Sequence, residues 1–347
     1  MNNANHLHKR GVIVKKKLIS LGLILGVLVS FSGCSTKDLE DNNGERLRVG
    51  VTINPLKDFA EAIGGDKVEV FSIIPDGSDA HSFDPKPKDL KELINTNVFI
   101  YNGLEMEEWI DSVLGTINGK DVKVVEASNG IDVINISEED IHDHESEENH
   151  DHEDEEENHD HEGEEAHDNE EEVHDHEHGG ADPHVWLSLG NAIIQAENIK
   201  NALSEVDPEN KDYYETNFEK LKSDFTSLYD EYKDKFRDLE NKNFVTGHAA
   251  FGYLCKDFGL TQKSIADVFG EGELTAKNLE ALINYSKENG VKTIFSESTA
   301  SEKEAETLAK EVGAKVVKVY SLETKEDNMS YIEGMRYNLE TIYNSLK

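Results

Sequence analysis

The sequence predicts an α/β protein of two lobes, each a mainly parallel sheet flanked by helices, joined by one long rigid α-helix. Three observations carry this. Strand and helix signals alternate from Leu47 in a βαβ order, the alternation resumes at Phe244, and between them an amphipathic repeat runs from Tyr214 to Leu239. A βαβ order needs crossover connections, which give parallel sheets covered on both faces.

Ahead of the folded part, Lys9, Arg10, Lys15, Lys16 and Lys17 precede an apolar run from Leu18 to Phe31, followed by Ser32, Gly33 and Cys34. The run is too short to span a bilayer comfortably and has the layout of a signal peptide, residues 1–33. Small residues directly before a cysteine resemble a lipobox, in which Cys34 becomes the lipidated first residue of the mature chain. Phe31 departs from the usual aliphatic residue there. The expectation is a lipid-anchored extracytoplasmic protein, on the outer face of the cytoplasmic membrane or in the periplasm, with residues 34–46 as a flexible tether. Cys255 is the other cysteine, so the mature chain has no intrachain disulfide and depends on packing.

The N-terminal lobe is expected over 47–205. Leu47 to Ile53 reads as a buried strand, Pro55 to Ile63 as a helix stopped by Gly64 and Gly65, and Val68 to Ile74 as a second strand. A helix from Pro87 to Asn95, a strand from Val98 to Tyr101, a helical stretch around Met106 to Leu114 and a strand from Val122 to Val125 follow.

Within this lobe, residues 137–180 break the pattern. They hold ten of the fifteen histidines (His142, His144, His150, His152, His159, His161, His167, His174, His176 and His178) among 23 Asp and Glu, with no Lys or Arg. So few apolar residues cannot form a core, and the segment is expected to be a disordered loop. A plain solvated linker has no use for repeated His-Asp-His and His-Glu-His. Neutral imidazoles in a field of carboxylates collect divalent cations, so the loop is read as an auxiliary metal-binding segment. The net charge of −38 for the whole chain makes nucleic acid an unsuitable partner.

Residues 206–240 are expected to form the long helix. Tyr214, Phe218, Leu221, Phe225, Leu228, Tyr232, Phe236 and Leu239 recur at spacings of four and three, with Pro208 at the first turn. A rigid spine would restrict hinge closure, so capture of a ligand would rest on loops and modest lobe movement. The C-terminal lobe, 241–347, carries strands at Phe244 to Thr246, Ser264 to Ile265, Val291 to Phe295 and Lys315 to Val319, and ends in a helix from about Asp327 to Leu346.

Three histidines outside the acidic segment each sit where a strand hands over to a loop or helix. They are His81 in Gly77-Ser-Asp-Ala-His81-Ser-Phe-Asp-Pro85, His184 in Asp182-Pro-His184-Val-Trp-Leu-Ser188, and His248 in Gly247-His248-Ala-Ala-Phe-Gly-Tyr253. Ligands of open α/β sheets bind at the carboxyl ends of the strands. A single histidine there is usually structural; three at equivalent places in two lobes point to a metal site.

With these three motifs the chain resembles the zinc-binding lipoproteins of ABC-type metal uptake systems, the cluster A-I solute-binding proteins of ZnuA and AdcA type. The resemblance extends from the lipobox to Lys347, and the acidic His-rich loop is a trait of the zinc branch. It implies an extracytoplasmic binding protein, not an enzyme and likewise expected to be monomeric, that captures Zn²⁺ between its lobes and delivers it to a membrane permease. It also implies that His81, His184 and His248 are imidazole ligands. Ala80 and Leu189 stand where prolines are common in the family, which touches loop stiffness only.

For the fourth position the resemblance offers water, a residue beside the first histidine, or a carboxylate in the loop after the last strand. Glu323 stands in that place and is preferred; Glu297, in Phe295-Ser-Glu297-Ser, competes for it. Manganese-binding relatives bring a carboxylate in place of the third histidine, so His248 argues for zinc. The rival readings are a manganese or other divalent-metal lipoprotein, an adhesin, a surface zinc buffer, or cobalt or nickel uptake, which affinity order alone does not separate. A zinc hydrolase would keep an open coordination position, and no His-Glu-x-x-His helix occurs. Release is expected as pH falls through the ordinary imidazole range, around 6.5.

Overall fold

The computed structural model describes residues 46–136, 180–270, 275–297 and 301–347. The signal segment, Cys34 and the ten histidines between 142 and 178 lie outside them.

The first half builds β1 (Leu47–Val51), α1 (Asn54–Gly64), β2 (Val68–Ser72), α2 (Pro87–Leu93), β3 (Val98–Tyr101), α3 (Ile110–Ile117) and β4 (Lys123–Glu126). Its strands lie in the order β2-β1-β3-β4, all parallel, with Val49 opposite Val70 on one side and Val98 on the other. β1 and β3 are apolar runs because helices cover both their faces. Gly50 permits the close approach of α2, since a Cβ there would sit 2.8 Å from Leu93 Cδ2.

Next come two helices, α4 (Leu189–Val206) and α5 (Lys211–Arg237). Ser188 caps α4 by accepting the Asn191 N–H at 3.2 Å. The sequence reading did not separate α4, because its buried face carries the polar Gln195 and Lys200 as well as Ala196, Ile199 and Leu203, which blurs the apolar stripe. The long helix is also shorter than expected. Pro208–Asn210 form a 3₁₀ turn, and Arg237 ends α5 at 27 residues, about 40 Å.

The second half repeats the first: β5 (Asn243–Thr246), α6 (Gly252–Phe258), β6 (Thr261–Ser264), α7 (Ala276–Glu288), β7 (Thr293–Ser296), α8 (Glu302–Val312), β8 (Lys315–Lys318) and α9 (Tyr331–Leu346). Its strand order, β6-β5-β7-β8, is again parallel. In each sheet the order reverses beside the first strand, and the crevices that such reversals open face ligands.

One apolar core runs through both halves. It takes in β1, β3, α1, α4, α5, α6 and α9, while a smaller cluster of Val245, Leu282, Ile294, Ala305 and Leu308 lies under α7 and α8. Phe59 of α1, Phe225 of α5 and Tyr331 of α9 meet edge to face with ring centroids 4.8 to 5.5 Å apart. The last helix therefore folds back onto the spine and the first lobe. Among the described residues, no helix is long and apolar enough to cross a membrane.

Candidate metal centre

His81, His184, His248 and Glu323 converge at the carboxyl ends of the two sheets. His184 is their hub. Its Nε2 lies 3.4 Å from His81 Nε2, 3.5 Å from His248 Nε2 and 3.7 Å from Glu323 Oε1. His248 Nε2 is 3.9 Å from Glu323 Oε1, and the ligand atoms of His81, His184 and Glu323 all lie within 4.8 Å of one another.

Each side chain is set by local chemistry. His184 follows an Asx-type turn in which Asp182 Oδ1 accepts the His184 backbone N–H at 2.9 Å and stands 2.9 Å from Nδ1 of the same ring. A proton held on Nδ1 by that carboxylate leaves Nε2 with its lone pair facing the cluster. Asp182 is held in turn: Tyr253 donates its hydroxyl to the Asp182 carbonyl at 2.8 Å, and a Cβ on Gly252 would come within 2.7 Å of Oδ2. His81 sits in a similar turn after β2, where Asp79 accepts its N–H at 2.9 Å and the Ser82 hydroxyl at 3.2 Å. The Phe269 ring stands edge-on to it, centroids 5.9 Å apart.

His248 directly follows β5. Its carbonyl accepts the Thr246 hydroxyl at 2.7 Å and the Gln262 side-chain amide at 3.1 Å, which fixes the turn. Glu297, at the end of β7, accepts the Gly247 N–H at 3.1 Å and reaches only 3.9 Å from His248 Nδ1. It therefore stands behind the ring, on the side away from the converging Nε2 atoms. Glu323 lies after β8; its carbonyl accepts the Asn54 N–H at 2.8 Å, and its Oε1 has no hydrogen-bond partner.

Burial dominates the electrostatics. It lowers the imidazoles, His184 to about 3 and His81 to about 4, with His248 also well below its ordinary value. For His81 and His248 the neighbouring rings add to the fall, so all three are neutral and able to donate lone pairs at neutral pH. The same burial pushes Glu323 up to about 7 and Glu297 to about 8. Such a set can hold a divalent cation, which would replace the missing hydrogen-bond partner of Glu323 Oε1.

The sequence reading named these four residues and Glu297, and none of the other supports. Asp182, two residues before a histidine, was legible as a carboxylate able to hold the far nitrogen of that ring. The tie from Asn54 to Glu323 was not, because the two lie far apart in the chain.

Three comparisons locate the chain among known proteins. A model of the family described as zinc-uptake complex component A, periplasmic (ZnuA), matches residues 49–345. The high-affinity zinc uptake system protein ZnuA of Bacillus subtilis is 36% identical over 339 residues, covering 95% of this chain and 98% of the relative. Among solved structures, a Zn(II)-bound mutant of AdcAII from Streptococcus pneumoniae has a TM-score of 0.72 at 30% identity, over 88% of this chain and 100% of the other. A laminin-binding protein of Streptococcus agalactiae, described as having adhesin and metal transporting activity, gives 0.72 at 29% identity over 87% and 100%. With its matched strands, helices and loops spanning both lobes, the chain belongs to the ZnuA family of zinc-uptake components.

Proposed function

We propose that this chain captures Zn²⁺ outside the cytoplasmic membrane, through His81, His184, His248 and Glu323, and delivers it to the permease of an ABC-type uptake system. The observation that carries the reading is the convergence of three Nε2 atoms and one unpartnered carboxylate oxygen, with spacings of 3.4, 3.5, 3.7 and 3.9 Å. Four ligands about 2.0–2.1 Å from a tetrahedral Zn²⁺ lie about 3.4 Å from one another. These four spacings are within about 0.5 Å of that value, and the His81, His184 and Glu323 ligand atoms span up to 4.8 Å, so the shell completes as the side chains draw in around the ion. Three neutral imidazoles and one carboxylate suit this borderline ion, and occupation of all four positions by protein favours binding over hydrolysis.

Cys34 would carry the lipid that tethers a monomer at the membrane, and residues 137–180 would hold further, weaker and exchangeable ions. Calorimetric titration of the soluble domain with zinc tests this. One tight event that persists unchanged after deletion of residues 137–179 is expected, and its loss on deletion would move the tight site out of the cleft.

A further inference from the structure

The segment bearing Glu323 belongs to the second half by sequence, yet its bonds change sides along its length. Val319 donates its N–H to Ser296 of β7 at 3.0 Å, and Tyr320 exchanges hydrogen bonds with Asn338 of α9 at 2.9 and 2.7 Å. From Ser321 onward the ties run to the first half. Trp186 donates its indole N–H to the Ser321 carbonyl at 2.7 Å, and Asn54, at the start of α1, donates to the Glu323 carbonyl at 2.8 Å. At the far end of the segment, the Tyr331 hydroxyl donates to the Trp186 carbonyl at 2.5 Å, and its N–H to Asp58 Oδ2 at 2.6 Å. Between these ties Leu322 adopts φ +64°, a left-handed conformation that a branched side chain enters only when its surroundings hold it there.

Trp186 is the common element. It is fully buried, and its ring lies 5.3 Å from that of His184. One side chain thus packs on a ligand of the first lobe and fixes backbone two residues before a ligand supplied by the second.

We infer that Trp186 is a positioning residue that mounts Glu323 on the first lobe, so that Glu323 travels with His81 and His184 and His248 alone closes the site from the other side. The inference rests on the reading of Glu323 as a ligand. It makes opening of the cleft a one-ligand event: separation of the lobes withdraws His248 and leaves a preassembled trio behind.

A double-mutant cycle with Trp186→Phe and Glu323→Ala, read as zinc affinity by competition with a calibrated chelator, tests it. Phe keeps a ring against His184 and removes the donor together with part of the indole's volume. Loss of an outer-shell partner typically weakens metal binding about 10- to 100-fold, and about tenfold is expected for Trp186→Phe. In the Glu323→Ala background the same change should cost less than about twofold, because the group it positions is gone. Equal losses in both backgrounds, or none in either, would overturn the inference while leaving Glu323 a ligand. If Glu323→Ala alone leaves affinity unaltered, the ligand reading itself fails. Should Trp186→Phe not fold, Tyr331→Phe removes the hydroxyl tie to Trp186 while keeping its ring, and its loss must show the same dependence on Glu323.

Discussion

At His184 three converging neighbours share one buried nitrogen, and the ring is held from behind by Asp182. Replacing Asp182 by Asn keeps the shape and an acceptor for Nδ1–H but removes the charge that raises ligand basicity, so zinc affinity should fall about tenfold. An unchanged chelator-competition curve would show that the carboxylate is only structural. His248 differs in kind, since it comes from the second half, just past β5, and the carboxylate behind its ring, Glu297, lies 3.9 Å from Nδ1 rather than at hydrogen-bond distance. His248→Ala should weaken zinc by more than about 100-fold, beyond the usual range for outer-shell partners, and by more than Glu323→Ala, where water can replace a carboxylate oxygen. Wild-type affinity in the His248 variant would remove it from the site. These four positions were legible as candidates because they sit in short motifs at strand ends. Trp186 was not, since its partner Ser321 is 135 residues away and only the fold brings them together.

Among the elements, the spine explains why one apolar core runs through both halves. α5 buries Tyr214, Phe218, Phe225, Leu228, Tyr232 and Phe236 along one face, and α9 closes over it. Phe225 touches both Phe59 and Tyr331, so it joins three helices of different origin at one point. Phe225→Ala should cost about 3–5 kcal/mol, the usual price of a large void in a core. Because one cluster of buried side chains is continuous through both halves, urea unfolding of the metal-free domain should remain a single transition shifted to lower denaturant. Two separated transitions would mean that the lobes are independent. The apolar runs of the strands and the four-three spacing of the spine announced themselves in sequence because each is a local pattern. The return of α9 onto α1 was not legible, as nothing local in Tyr331–Leu346 says which surface its apolar side meets.

For the molecule as a whole, burial sets a pH response different from the one the sequence suggests. Free histidines would release metal around pH 6.5. In the fold, burial takes His81 to about 4 and His184 to about 3, and it raises the carboxyls of Glu323 and of Glu107, buried in the first half where it accepts the Thr52 hydroxyl, to about 7 and of Glu297 to about 8. A carboxyl whose folded value is raised stabilises the fold at low pH, and that contribution is lost as pH rises through the folded value. A histidine whose folded value is lowered loses its contribution only as pH falls below the unfolded value, about 6.5. Between pH 6.5 and 8 the folded histidines are neutral and their unfolded forms shed their remaining protons, so the buried carboxyls, Asp182 and Glu326 at about 7 among them, outweigh the histidines in setting the slope. The metal-free domain should therefore become less stable as pH rises across this window. Zinc should act with the opposite sign, because binding needs Glu323 ionised, and the stability that the ion adds should grow with pH. Urea midpoints at pH 6.5, 7.2 and 8.0, with and without zinc in a chain lacking residues 137–179, measure both slopes. A metal-free stability that rises with pH would show that the buried carboxyls are not protonated in the closed cleft. A zinc increment indifferent to pH would show that no titrating carboxylate takes part in holding the ion.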